Sequence, residues 1–295
     1  MTDGTTRREF LGSIAAFSLF PFEQEKPELI LHNGHIMTMN PAEPVAEAVA
    51  ISGGRFFAVG KKADVMNLAG SGVRKIDLGG KTVLPGFVDA HSHPAAAGLS
   101  HLRMVDCDLR SISAIQAAMR ERAAKTSAGE WVLGFKYDDT KTDDGRPLGI
   151  ADLDAAVPDH PVHIEHRGGH TVYANSLAFQ KAGINEKTPD PPGGKIDHDP
   201  ATGKLSGRVA ESAQAFFEKV LPHDFTRDDH RQGVKLMSKM LARTGITSAT
   251  EAQGTPVDLR AYQDARDSGD LLYRAYCFIN FRYIDAMCVT TARSA

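Results

Sequence analysis

Cysteine is scarce in this chain. Cys107, Cys277 and Cys288 stand far apart among 295 residues, and no C-x-x-C occurs. That spacing excludes a disulfide framework and a cysteine-based zinc site. Charge of one sign is also lacking. The net charge is −3, with no long run of either sign, so the clustered basic face of a nucleic-acid binder is missing. No apolar run approaches the ~20 residues needed to cross a bilayer. The phosphate-binding glycine motifs are absent too: Gly53-Gly54 and Gly193-Gly194 lack the following residues such a loop needs and read as turns. What remains is ordinary for a globular protein, with 42% hydrophobic and 24% charged residues.

The first informative stretch is Thr6-Arg-Arg-Glu-Phe-Leu11. It matches the twin-arginine export pattern and is followed by a short apolar run to Phe22, which predicts an export signal over residues 1–27. Localisation is then periplasmic or otherwise exported. If the arginines are fortuitous, the chain is cytoplasmic.

Residues 28–82 predict short strands and turns. Glu28 to His32, Asn33-Gly34 and His35 to Met39 read as a hairpin. Ala48 to Ile51, the turn at Ser52-Gly-Gly54 and Arg55 to Val59 read as a second. A domain of this size buries little apolar surface alone.

From residue 83 strands alternate with helices. Strands are expected at 84–88, 131–135, 161–165, 245–250 and 271–279, with an irregular piece over 184–207. Ser111 or Ser113 caps a helix running toward Thr126. Thr226 caps a second with Asp229 in the capping-box position, and Thr255-Pro256 opens a third. Such alternation predicts a parallel sheet. Five strands fall short of the eight of a closed barrel. The fold class expected is therefore α/β, a partial TIM-like (β/α) barrel over 83–287 with a small N-terminal β-sandwich-type domain over 28–82. An irregular tail follows over 288–295.

The stretch Lys81 to Pro94 delivers His91 and His93 to the end of an apolar strand. At i, i+2 in an extended segment both imidazoles share a face. Two neutral imidazoles at a strand end make half of a zinc-like metal site. Asp89 shares that face and is a candidate acceptor that would orient an imidazole N–H; a helix or turn cap is its other reading. His170 follows Gly168-Gly169 on a loop, where it could contact substrate or simply face solvent. Asp138 and Asp139 follow the strand at Trp131, and Asp138 is a candidate for lining the same pocket. His163 and His166 flank one strand and point to opposite sides, so at most one of them can serve that pocket.

The order of motifs resembles the metal-dependent amidohydrolase superfamily, in its amidohydrolase 3 or YtcJ-like branch, which includes N-substituted formamide deformylase. The resemblance rests on Asn33 to Met39, Lys81 to His93, Gly129 to Gly134, Ala151 to Ala155, Gly169-His170 with Asn175-Ser176, Thr188 to Gly194, Ser206 to Glu211 and Gly245 to Ser248. It implies a hydrolase acting on carbon–nitrogen bonds other than peptide bonds, with a divalent metal, zinc by preference, and a small-molecule amide, formamide or cyclic amide as substrate. His91 and His93 would hold the metal. Glu211, matching the family's Gly-x-x-x-Glu segment, would assist if it lies at a strand end; on a helix over 208–220 it would face solvent. The resemblance also implies longer relatives, with the later ligands and the general-base Asp beyond residue 295. The expectation is then an enzyme, or alternatively a non-catalytic fragment or metal-binding module. A homo-oligomer is left open.

Overall fold

The computed structural model describes residues 26–284. The twin-arginine stretch, the tail over 288–295 and Cys288 lie outside the described residues. The chain divides into two compact units, 1–86 and 87–295.

The first unit is one five-stranded sheet built on β1 (Leu29–Met37). Strand β2 (Val45–Ser52) runs antiparallel to β1, and β3 (Arg55–Gly60) returns antiparallel to β2. The connecting Gly53-Gly54 pair has φ of 54° and 71°, the left-handed geometry of a tight hairpin turn. A short helix, α1 (Lys62–Asn67), follows. Strands β4 (Arg74–Asp77) and β5 (Thr82–Val83) both pair parallel with β1. Ile30, Ala48, Ala50 and Val65 form one small core, and Ile36, Ala46 and Val49 another. The described residues of this unit form one sheet, and the sandwich is not shown among them. One expectation changes here. The hairpin at Asn33-Gly34 is instead a bulge within one long strand. Asn33 takes φ of 59° and donates from Nδ2 to Asp77 Oδ1 at 2.8 Å, so the ladder of β1 slips between His32 and Ile36. Asparagine's tolerance of positive φ serves a bulge as well as a turn.

The second unit holds two sheets. Its elements are β6 (Phe87–Ser92), α2 (Pro94–Arg103), β7 (Val105–Asp106), α3 (Ile112–Ala123), β8 (Val132–Tyr137), α4 (Ile150–Ala156), β9 (Val162–His166), β10 (Thr171–Ala174) and α5 (Ser176–Ala182). Then come β11 (Gly194–His198), β12 (Leu205–Glu211), α6 (Ala215–Glu218), α7 (Arg227–Arg243), β13 (Ile246–Gly254), α8 (Pro256–Asp267) and β14 (Arg274–Ile279). The caps read from sequence form: Ser111 accepts from Ala114 N–H, and Thr226 and Thr255 each make a reciprocal capping box with the Asp three residues on.

The architecture is mixed α/β, and the five predicted strands do not share one sheet. Strands β6, β13 and β14 form a three-stranded parallel sheet in the order β14-β13-β6. Strands β8 and β9 belong to a six-stranded mixed sheet in the order β11-β12-β10-β9-β8-β7. The piece expected to be irregular contains β11, which pairs antiparallel with β12. No barrel closes among the described residues. Alternation of strand and helix is local information, whereas the choice of sheet partner is made over long range. The whole six-stranded sheet lies on the chain between β6 and its neighbour β13.

The chain leaves and rejoins the three-stranded sheet through α2 and α7. They cross where Gly98 meets Gly233, so closely that a Cβ on Gly98 would lie 2.3 Å from Gly233 O. Val234 and Leu241 of α7 pack with Ala95, Ala249, Tyr262 and Tyr273 into the core of this part.

Candidate metal centre on the parallel sheet

Strand β6 ends at Ser92, and His91 and His93 sit at its carboxyl end. Their rings lie 5.5 Å apart at 89°, so the i, i+2 spacing brings both imidazoles to one place. Pro94 occupies the first turn of α2 and ends the strand. Asp89 Oδ1 accepts from the backbone N–H of His91 at 3.2 Å, so its described bond is to the main chain beside the imidazole.

Parallel pairing with β13 places Ser92 opposite Glu251. Glu251 is only 4% exposed, and its Oε1 lies 3.5 Å from His93 Nδ1. Its Oε2 accepts from Ala95 N–H at 2.9 Å and from Tyr262 O–H at 2.9 Å. Burial pushes this carboxyl group up, while the Ala95 and Tyr262 bonds pull it down. The same burial drives the Tyr262 hydroxyl far up, so it stays a donor. Sequence reading missed Glu251. The available signal was an acidic residue inside an apolar strand, but the predicted strand ended at Thr250, four residues before the real one.

The other candidates sit on the six-stranded sheet. Glu211 ends β12, so it lies on a strand and not on a helix over 208–220. It carries φ of 54° and ψ of −134°, an unusual conformation for a non-glycine residue. Its Oε2 lies 3.1 Å from His170 Nδ1, and its N–H donates to His170 O at 2.8 Å. The structure therefore brings Glu211 together with His170. Among the described residues, no hydrogen bond or ion pair links either to His91 or His93.

Asp138 follows β8, and its Oδ1 accepts from Thr140 Oγ1 at 2.6 Å and Thr140 N–H at 3.1 Å; the Thr140 hydroxyl leads in holding this carboxyl below the ordinary range. Donor atoms of Asp138, Asp139 and His166 lie within 4.8 Å of one another. However, His166 Nδ1 accepts from Gly168 N–H at 3.1 Å, which leaves the proton on Nε2, 3.2 Å from Asp139 Oδ1. With both ring nitrogens so engaged, the cluster is accounted for by its own hydrogen bonds.

His163 is buried, packs edge-on against Phe217 at 5.3 Å and has no partner for Nδ1 among the described residues. Burial pushes its pKa down to about 4. The unfolded chain takes up this proton near pH 6.5 and the folded one near 4, so the folded state gains stability as pH rises through that window. Stability is expected to fall by roughly 2 kcal/mol between pH 7 and pH 5 on this account. His163→Leu should remove that share of the slope in urea titrations at the two pH values. An unchanged slope overturns it.

Residues 74–290 match the sequence model Amidohydro_3, the amidohydrolase family. The chain is 29% identical over 250 residues to N-substituted formamide deformylase of Arthrobacter pascens, covering 83% of this chain and 46% of that protein. It is 28% identical over 262 residues to the protein YtcJ of Bacillus subtilis, covering 87% of this chain and 49% of that protein. This chain thus spans about half the length of these curated relatives. Among solved structures, an uncharacterized metal-dependent hydrolase of Pyrococcus horikoshii superposes with a TM-score of 0.63 at 24% identity, over 89% of this chain and 50% of that one. Its counterpart from Pyrococcus furiosus gives 0.61 at 24% identity, over 89% and 52%. At that identity the likeness speaks to the fold alone. Well over half of the residues fall inside the family match, the two histidines and Glu251 among them, and the chain belongs to the amidohydrolase family.

Proposed function

We propose that this chain carries the first part of a metal-dependent hydrolase site acting on a carbon–nitrogen bond of an amide, formamide or cyclic amide. The observation that carries the reading is the pairing of His91 and His93 at the carboxyl end of a parallel strand, beside the buried carboxylate of Glu251. The three-stranded sheet β6, β13 and β14 is read as the opening strands of a TIM-like barrel, whose sites lie at that end. The donors fit a first-row divalent ion, zinc by preference. Two neutral imidazoles are suitable ligands, and among the described residues no hydrogen bond occupies the His91 ring. When bound, such an ion lowers the pKa of water and polarises a carbonyl.

The chain's own residues supply the rest. His91 and His93 hold the ion, and the turn from β6 into α2 fixes their backbone. Glu251 Oε2 is held by Ala95 N–H and Tyr262 O–H, which leaves Oε1 turned toward His93. Glu211 and His170 form an exposed acid–imidazole pair suited to contact a polar substrate. No other His or acidic group joins His91 and His93 among the described residues. That fact favours a second reading, a module that binds metal without turnover.

Metal analysis with an assay on a panel of small amides separates the readings. The enzyme reading expects stoichiometric zinc and turnover, both lost in His91→Ala and His93→Ala, with zinc affinity reduced about 100-fold or more. Zinc without turnover supports the module. An affinity that neither substitution changes defeats both. The export expectation is tested separately by whether Arg7→Lys with Arg8→Lys abolishes appearance outside the cytoplasm.

A further inference from the structure

Glu251 has a feature that structural need does not explain. It lies mid-strand in β13 with small apolar neighbours, Ala249 and Ala252, where a buried carboxylate costs several kcal/mol unless it is hydrogen-bonded. Its two oxygens are used unequally. Oε2 is fixed from two directions, by Ala95 N–H in the first turn of α2 and by Tyr262 O–H on α8. Tyr262 is itself approached by Tyr273 O–H at 3.4 Å. Oε1 has His93 Nδ1 as its neighbour, at 3.5 Å. That separation is longer than a closed N–H···O bond, and the His93 ring is half-exposed.

We propose that Glu251 is a positioning residue that holds His93 as its Nδ1–H tautomer, leaving Nε2 as the lone pair available to a ligand. This inference rests on the reading of His93 as a metal ligand. An ionised carboxylate only accepts hydrogen bonds, so Nδ1 must present the proton and Nε2 must be bare. Ala95 stands two residues after His93, so one carboxylate grips both the ring and the backbone that carries it. An amide in its place would behave oppositely. In Glu251→Gln the carbonyl oxygen keeps the Ala95 and Tyr262 bonds, and the NH2 group faces His93. Nδ1 then becomes the acceptor, the proton moves to Nε2, and the lone pair is lost to the ligand. The isosteric pair thus differs at this site chiefly in the tautomer it imposes.

The test is long-range 1H–15N spectroscopy of the full, metal-free chain labelled at histidine, at a pH where imidazoles are neutral. His93 is assigned from the spectrum of His93→Gln. The expected result is a protonated Nδ1 and bare Nε2 in the unaltered chain, reversed in Glu251→Gln. Zinc affinity, measured by competition with a chromophoric chelator, should fall about 10- to 100-fold in Glu251→Gln. Tyr262→Phe leaves the carboxylate on Ala95 N–H and should keep the original tautomer. If Glu251→Gln does not fold, the unaltered chain and Tyr262→Phe still decide. A bare Nδ1 in either of these, or a tautomer indifferent to Glu251→Gln, overturns the proposal. A chain that binds no zinc yet shows the tautomer reversal sinks the metal reading and leaves the positioning of His93 standing.

Discussion

Asn175→Ala is expected to destabilise the protein by roughly 5 kcal/mol, beyond the range of ordinary substitutions. Asn175 is fully buried, and its amide uses all its main capacity. Oδ1 accepts from Val162 N–H at 2.9 Å and from Ala178 N–H at 3.0 Å. Nδ2 donates to His160 O at 2.8 Å and to Val157 O at 3.1 Å. One side chain therefore caps α5, starts β9 and pins the loop between α4 and β9. Alanine leaves four main-chain groups without these partners, and each costs about 1–3 kcal/mol if it stays dry. Water entering the gap recovers part of the total, which brings the sum to the figure given. Asn175→Asp keeps the two accepting bonds, loses both donating ones and buries a charge, so it should be comparably damaging. Urea unfolding followed by circular dichroism measures both. A loss under about 2 kcal/mol in Asn175→Ala would show that water satisfies these groups unaided.

Gly98→Ala should cost about 3 kcal/mol, although glycine to alanine inside a helix ordinarily gains about 1 kcal/mol. The sign reverses because of what the methyl group meets. A Cβ at Gly98 would lie 2.3, 2.4 and 2.7 Å from the O, C and Cα of Gly233, all of them main-chain atoms that no rotamer change removes. Helices α2 and α7 must move apart, opening the core around Val234 and Ala95. The reciprocal Gly233→Ala places its Cβ 3.0 Å from Gly98 C and should cost only about 1 kcal/mol. Because α2 begins directly after His93, Gly98→Ala should also weaken zinc binding at His91 and His93. A midpoint at or above that of the unaltered chain in urea unfolding would show that the crossing yields without strain.

The two substitutions mark where sequence reading stops. The cap that Asn175 supplies to α5 was open to a local argument, although the sequence reading did not make it, because Asn before a helix carries a capping mechanism. Its bonds to Val157, His160 and Val162 were not, since they depend on how α4 and β9 return to it. No helix was read over Gly98 from the sequence, and nothing there distinguished it from a surface glycine. Its partner is far along the chain, at Gly233. Asn33-Gly34 shows the same limit at short range: the residue type reported positive φ, but only pairing with β4 and β5 made it a bulge.

At the candidate metal centre, the sequence by itself determined that His91 and His93 share one side of a strand end. Period-two alternation and Pro94 suffice for that, and both are properties of adjacent residues. It also determined the caps at Ser111, Thr226 and Thr255, for the same local reason. The tertiary structure alone decided which strand lies beside the histidines. Strand β13 is the neighbour of β6 although every strand of the six-stranded sheet lies between them in the chain. Glu251 reached His93 through that pairing. Hydrogen bonds between strands carry no sequence code of their own, so the choice fell to the burial of α2 against α7 and to the core that they share.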